Sequence, residues 1–224
     1  FTVPDISLPG ILHTRSDCGW GNVGHAFDLD GTDEASITRA LVDCRRRLPE
    51  YEAYYRNFVP GCEKAALQLT APVLGVRETR RITGEYVLNV EDFKRQAVFD
   101  DEIGRYAYPV DLHSPRPCRE RKADDSFQTL RYRNPGESYG IPFRCLLPRT
   151  LENVLVAGRC VSTDRYMHGS LRVQPGCHIT GQAAGAAAAL AAQKNKTLRD
   201  IAIPELQRTL RKLGAFLPNF KERD

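Results

Sequence analysis

The sequence predicts an α/β protein that also carries α+β elements, and three observations lead there. Residues 153–158 form a short apolar run, followed by a polar stretch and then a long tract of small residues. Ile37, Leu41, Cys44 and Leu48 recur at helical spacing, and Ile141, Phe143, Cys145 and Leu147 alternate as in a half-buried strand. A division follows: residues 1–147 mix strands and helices, and residues 148–224 hold a strand, a loop and helices. The first observation reads as a buried strand ending at Ala157-Gly158, where a glycine lets the backbone approach a ligand closely. A polar loop then carries His168 and Arg172, and Pro175-Gly176 delivers the chain into a helix. The first turn of that helix, near Cys177 to Thr180, has backbone N–H groups without intrahelical partners and a positive dipole end. Ligands of open α/β sheets sit beyond strand C-termini, where helix N-termini attract anionic or electron-rich groups. Half of a cofactor site is expected there.

The remaining elements follow in order. Residues 1–30 read as irregular to β. A helix is expected over 33–47, with acids in its first turn, and Pro49 ends or kinks it before a second stretch over 51–58. Residues 73–88 look like a strand around an arginine cluster. Residues 89–95 form a short helix with Asn89 as cap. Residues 113–126 are rich in proline and charge, a surface loop, and 126–133 and 139–147 read as paired strands joined through Asn134-Pro135-Gly136. The last helix has Pro204 at its start, Glu205 in its first turn, Arg211 and Lys212 in its last turn, and Gly214 beyond it. Gly181 and Gly185, four apart, would give the long helix a smooth face for close packing under a sheet.

Composition narrows the function classes. Hydrophobic content of 42% with 27% charge is that of a globular protein, and 224 residues allow one or two domains. The net charge of +4 is modest, and acids lie beside most of the arginine clusters, which argues against the one-sided basic stripe of a nucleic-acid binder. The apolar tract at 183–192 is too short for the ~20 residues of a bilayer span, so no membrane partner is expected. Seven cysteines lie far apart, with no C-x-x-C and no zinc spacing, so no metal is expected and the thiols suit a reducing cytoplasm. Cys177 differs, because a helix N-terminus lowers a thiol pKa. The plainer alternative is that a small residue is needed there. The chain begins at Phe1 and holds one methionine, Met167, which reads as a processed chain, an excerpt or a fragment.

The segment 153–191, NVLVAGRCVSTDRYMHGSLRVQPGCHITGQAAGAAAALA, closely resembles the last strand, loop and helix of the FAD-dependent oxidoreductases related to fumarate reductase flavoproteins. The resemblance extends to GVRETRRITGEYVL at 75–88, FDDEIGRYAYPVDLH at 99–113 and LRKLGAFLP at 210–218, and so covers most of the chain. It implies the C-terminal part of an FAD-binding, Rossmann-like domain together with part of a substrate or cap domain. Such flavoproteins open with a βαβ unit bearing G-x-G-x-x-G, which holds the pyrophosphate at a helix N-terminus. GWGNVG at 19–24 fits that pattern by letter, yet no apolar strand precedes it, and it reads as a turn. The missing fingerprint implies a partner, an N-terminal FAD-binding half on the same or a separate chain, and an oligomer is compatible with this.

What the resemblance implies for residues follows its motifs. His168, Gly169 and Arg172 match the family's H-G-x-x-R, in which the arginine contacts a substrate carboxylate beside the flavin. A guanidinium offers such a carboxylate a bidentate fork. The alternatives are a salt bridge that ties down the loop for Arg172 and a structural hydrogen bond for His168. Gly158 would approach the ribityl or pyrophosphate region, together with Ala157 and Arg159. The relatives place an acid where Arg159 stands, so the ribityl contact would move to Asp164, or Arg159 would face a phosphate. Backbone donors over Pro175, Gly176, Cys177, His178 and Ile179 would face the flavin O2/N1 edge. Arg77, with Arg80 and Arg81, binds substrate or forms a lattice with Glu78 and Glu85. His113 moves protons near the flavin or pairs with Asp111. The implied reaction is hydride transfer between FAD and a small organic substrate, a carboxylate among the candidates. The non-enzymatic alternative is a remnant or scaffold subunit that keeps the half-fold.

Overall fold

The computed structural model describes residues 2–3, 11–15, 17–113 and 130–221. The expected loop at 113–126 and most of the expected strand at 126–133 lie outside them. Two compact units are present: residues 1–79 with 113–122, and residues 80–112 with 123–224. A division after residue 147 does not separate these units, because residues on both sides of it share the second unit's core.

In the first unit, β1 (Leu12–Arg15) and β2 (Cys18–Trp20) form an antiparallel hairpin. GWGNVG begins inside β2, and among the described residues no helix starts before Glu34 and no βαβ unit surrounds it. Helix α1 (Glu34–Arg46) begins where Asp33 accepts hydrogen bonds from the Ala35 and Ser36 amides, the geometry that satisfies orphan N–H groups at a helix start. Its expected stripe of Ile37, Leu41 and Cys44 is half-buried. Helix α2 (Leu48–Phe58) follows at once, with Pro49 in its first turn and Tyr51 and Tyr55 buried.

The second unit holds the main core. Helix α3 (Val90–Lys94) is closed by a capping box in which Asn89 and Asp92 satisfy each other's backbone amides. Strands β3 (Glu102–Tyr106) and β4 (Tyr139–Pro142) pair antiparallel, Tyr106 opposite Tyr139 and Arg105 opposite Gly140. The partner of β4 is therefore β3 rather than 126–133, of which the described residues 130–133 lie outside any strand. The alternation expected to Leu147 stops at Pro142, where Phe143–Leu146 turns into a 3₁₀ segment that buries Phe143, Cys145 and Leu146 together. Helices α4 (Arg165–Leu171), α5 (Gln174–Lys194) and α6 (Ile203–Lys212) complete the unit. Leu206 and Leu210 of α6, Ala183 and Ala187 of α5, and Met167 and Leu171 of α4 share one core with Phe93, Ile103, Tyr139 and Ile141.

Three expectations about elements give way. Residues 73–88 form no strand; only isolated bridges, Gly84 to Pro148 and Leu88 to Thr163, occur there. Residue 153 is a bend and residues 154–157 form no strand, and residues 153 and 154 are exposed. A parallel-type strand is stabilised only when neighbours cover both edges and faces, and among the described residues there is no parallel sheet to do so. The Rossmann-like sheet is therefore not seen, and mixed α and β stands. Lastly, the buried stripe of α5 is Gly176, Thr180, Ala183, Ala187 and Ala191. Gly181 and Gly185 are exposed, and a Cβ on either would meet nothing within 4 Å. No described helix is long and apolar enough to cross a membrane.

Candidate functional site

The expected cofactor loop and helix start do come together. After Ala157, whose backbone is extended, Gly158–Cys160 makes a 3₁₀ turn that opens with Gly158 at φ +76°, left-handed backbone that costs a side chain roughly 1–2 kcal/mol. The turn rests on the start of α5. The Gly158 amide donates to Thr180 Oγ1 at 3.0 Å, and the Thr180 hydroxyl points back to the Gly176 and Cys177 carbonyls at 3.1 and 3.0 Å. Thr180 is fully buried and was not singled out in the sequence. Its only signal is a threonine four residues past a glycine, where back-bonding within a helix is common. Replacing Thr180 with Val keeps the shape and strands the Gly158 amide. The expected cost is about 1–3 kcal/mol in urea unfolding.

Helix α5 is uncapped at its start: Val173 offers no side-chain acceptor, and Pro175 in the first turn has no N–H to satisfy. The helix begins at Gln174, and the Cys177 amide already bonds the Val173 carbonyl at 3.1 Å. The amides of His178 and Ile179 lie further along and serve the helix, so the donors available to a ligand are confined to its opening residues. The side chains of His178, Ile179 and Gln182 instead line a cleft of about 310 Å³ with Ile103–Arg105 of β3 and residues 214–216. Gly104 is required there, because a Cβ would sit 2.6 Å from Ile179 Cγ2.

His168 stands on α4 rather than on a loop, and Arg172 is the residue that ends that helix. Asp164 caps that helix, accepting from the Met167 amide at 2.7 Å while its other oxygen accepts from the Val90 amide at 2.8 Å. Both Asp164 oxygens are thus engaged in the fold, away from the ribityl role considered for it. His168 is 1% exposed, and its Nε2 donates to the Arg159 carbonyl at 3.2 Å, so it braces the turn that carries Gly158. Arg172 forms a 3.1 Å salt bridge to Asp111 and a 3.1 Å bond to the Asp111 carbonyl, with its side chain 11% exposed. Gly169 permits this approach, since a Cβ there would lie 2.9 Å from the Asp111 carbonyl oxygen. Glu85, expected in an arginine lattice with Arg77, pairs instead with Arg199.

Tyr139 and Ser170 share a 2.8 Å hydrogen bond, and Ser170 donates to the Tyr108 carbonyl at 2.6 Å. The Tyr106 hydroxyl is buried without a hydrogen bond of normal geometry. Burial raises its pKa, while the nearby Gly176 amide opposes the rise. Burial also raises the pKa of the Cys177 thiol, with Arg159 opposing and Cys160 adding to it. That direction is opposite to a thiol activated by the helix start. Arg77 and His113 belong to the first unit, where the His113 ring stacks on His25 at 5.8 Å. Among the described residues, no group of three His, Cys, Asp or Glu is placed to hold a metal.

Residues 11–210 match the model of a protein family described as FAD dependent oxidoreductase. The chain belongs to the FAD dependent oxidoreductase family. No curated protein and no solved structure matches it. The family's cofactor suits what the chain presents: a left-handed glycine turn seated on an uncapped helix start gives close backbone approach and a positive dipole end, which an electron-rich flavin edge or a phosphate requires.

Proposed function

We propose that the chain forms part of the flavin site of an oxidoreductase that moves hydride between FAD and a small organic substrate, with a carboxylate the best fit to its arginines. The observation that carries this reading is the Gly158 turn at φ +76° held by Thr180 over the start of α5. FAD, when bound, supplies reversible two-electron acceptance. The chain's residues hold and orient it. The first amides of α5 and its dipole favour negative charge on the edge they face. His168 fixes the turn from below through the Arg159 carbonyl. Arg159 is exposed on that turn, where it can meet a phosphate, as its replacement of the relatives' acid suggests. Arg172 holds Asp111, and a substrate carboxylate reaches its fork by taking the place of that side chain. Arg77 and His113 remain candidates for substrate binding and proton movement.

The fumarate reductase-like subtype and the Rossmann-like character of the 148–224 portion belong to the same proposal. So does an N-terminal FAD-binding half, in the same or a separate chain, carrying the G-x-G-x-x-G unit; without it this portion would bind FAD weakly. The test is FAD retention in Gly158→Val. A β-branched residue pushes the turn out of its left-handed conformation, and FAD affinity is expected to fall about tenfold, the equivalent of ~1.4 kcal/mol. Unchanged affinity would remove the turn from the site.

A further inference from the structure

We propose that Cys160 and Cys177 form a reversible dithiol/disulfide site at the start of α5, with a peroxide as the oxidant. Cys160 closes the Gly158–Cys160 turn and is exposed. Cys177 stands in the first turn of α5, half-buried, with its thiol on the Arg172 carbonyl at 3.2 Å. The turn is seated directly over it: a Cβ built on Gly158 lies 3.9 Å from Cys177 Sγ. Both ends of the turn are tied, through the Gly158 amide to Thr180 at 3.0 Å and through the Cys160 carbonyl to the Ile82 amide at 2.9 Å. Burial raises the Cys177 pKa, while Arg159, next to Cys160 in sequence, lowers it and Cys160 adds to the rise.

The third cysteine of the described second unit, Cys145, is buried, and that burial pushes its thiol up to about 12. In the described second unit, Cys160 and Cys177 are therefore the two thiols that solvent can reach. Thiolate character and access decide which sulfur a peroxide attacks first, and Cys160 is the exposed one. Its thiolate takes one oxygen from hydrogen peroxide, giving a sulfenic acid and hydroxide. The Cys177 sulfur then attacks that of Cys160; the S–S bond forms as the S–O bond breaks, and the departing hydroxide takes the Cys177 proton as water. In sum, two thiols and one peroxide become a disulfide and two waters, and an added dithiol reverses it. Bridging requires Cα atoms within about 7 Å, so the crosslink directly tests the seating of this turn on α5. The disulfide would lock the Gly158 turn to the helix start, although its formation does not depend on the flavin reading.

The experiment is hydrogen peroxide treatment of the purified protein, blocking with a maleimide, intact-mass measurement and non-reducing peptide mapping. The expected result is loss of two hydrogens, one Cys160–Cys177 linked peptide, and full return with dithiothreitol. Cys160→Ser and Cys177→Ser each abolish the link, and dimedone labels Cys160 in the Cys177→Ser protein. Linkage of Cys160 to another cysteine or to a second chain overturns the proposal. So does accumulation of Cys160 sulfinic acid while Cys177 stays open to the maleimide.

Discussion

Arg105→Ala is expected to lower unfolding stability by about 3–5 kcal/mol, because it leaves a buried carboxylate without its counter-ion. Glu102 is 2% exposed, and its Oε1 accepts from Arg105 Nη1 at 2.6 Å. Arg105 also gathers the strand surroundings, donating to the Ser138 hydroxyl and carbonyl and to the Gln96 and Ala97 carbonyls. Glu102 Oε2 has no hydrogen bond of normal geometry, although the Asn219 side chain lies close enough to favour the charged form. Desolvation dominates, and Glu102 titrates above its ordinary value of 4.5, with Arg105 opposing the rise. A carboxyl whose folded pKa is raised binds its proton more tightly in the folded state. Its contribution is thus full below the unfolded pKa, about 4.3, and is lost as pH rises through the folded value. Urea unfolding of wild type and Glu102→Gln should diverge over that window, the variant gaining relative stability as pH rises. Equal pH profiles for the two proteins would contradict a strained, buried Glu102.

Gly176→Ala is the second large effect and acts nearer the proposed site. A Cβ there collides with the Leu171 carbonyl oxygen and approaches the Leu171 carbonyl carbon and Cδ1, each at 3.1 Å. The obstacle is the backbone at the end of α4, so the first turn of α5 must shift. Overpacking of this kind costs about 1–3 kcal/mol, and an immovable obstacle places it at the upper end. Gly181→Ala is the control on the same helix. Its Cβ meets nothing within 4 Å, and alanine gains up to about 1 kcal/mol over glycine in a helix interior. Urea midpoints should therefore move in opposite directions. Similar shifts for the two would mean that α5 does not pack on Leu171 as described.

Much of the helical framework was legible in the sequence because its signals are local. Asp33 and the stripe from Ile37 to Cys44 located α1 to within a residue or so, Asn89 marked α3, and Pro204 with Gly214 bracketed α6. The family was legible in the order of its motifs, since a resemblance over 153–191 does not depend on how each piece folds. Elements that rely on distant partners were not legible. The apolar run at 153–158 reads as a strand, but a strand needs a ladder of neighbouring bonds, and a single backbone bond, from the Val156 amide to the Leu146 carbonyl, does not make one. Helix α4 was taken for a loop because Gly169 interrupts its pattern, although Asp164 was an available cap signal. The face of α5 was misjudged because small residues surround the whole helix, and no amphipathic stripe distinguishes Gly181 from Ala183. At the site, the passage from the Gly158 turn to the α5 helix start is legible from the glycine and from Pro175-Gly176. The Arg172–Asp111 bridge depended on the path of residues 108–112, which no local pattern discloses.

The most direct test is flavin retention by the protein that joins this chain to a dinucleotide-binding half, measured as visible absorbance per protein after gel filtration. Flavin bands are expected in wild type, with loss of most of the flavin in Gly158→Val and little flavin on residues 1–224 alone. Full retention by Gly158→Val, or by this chain by itself, would contradict it.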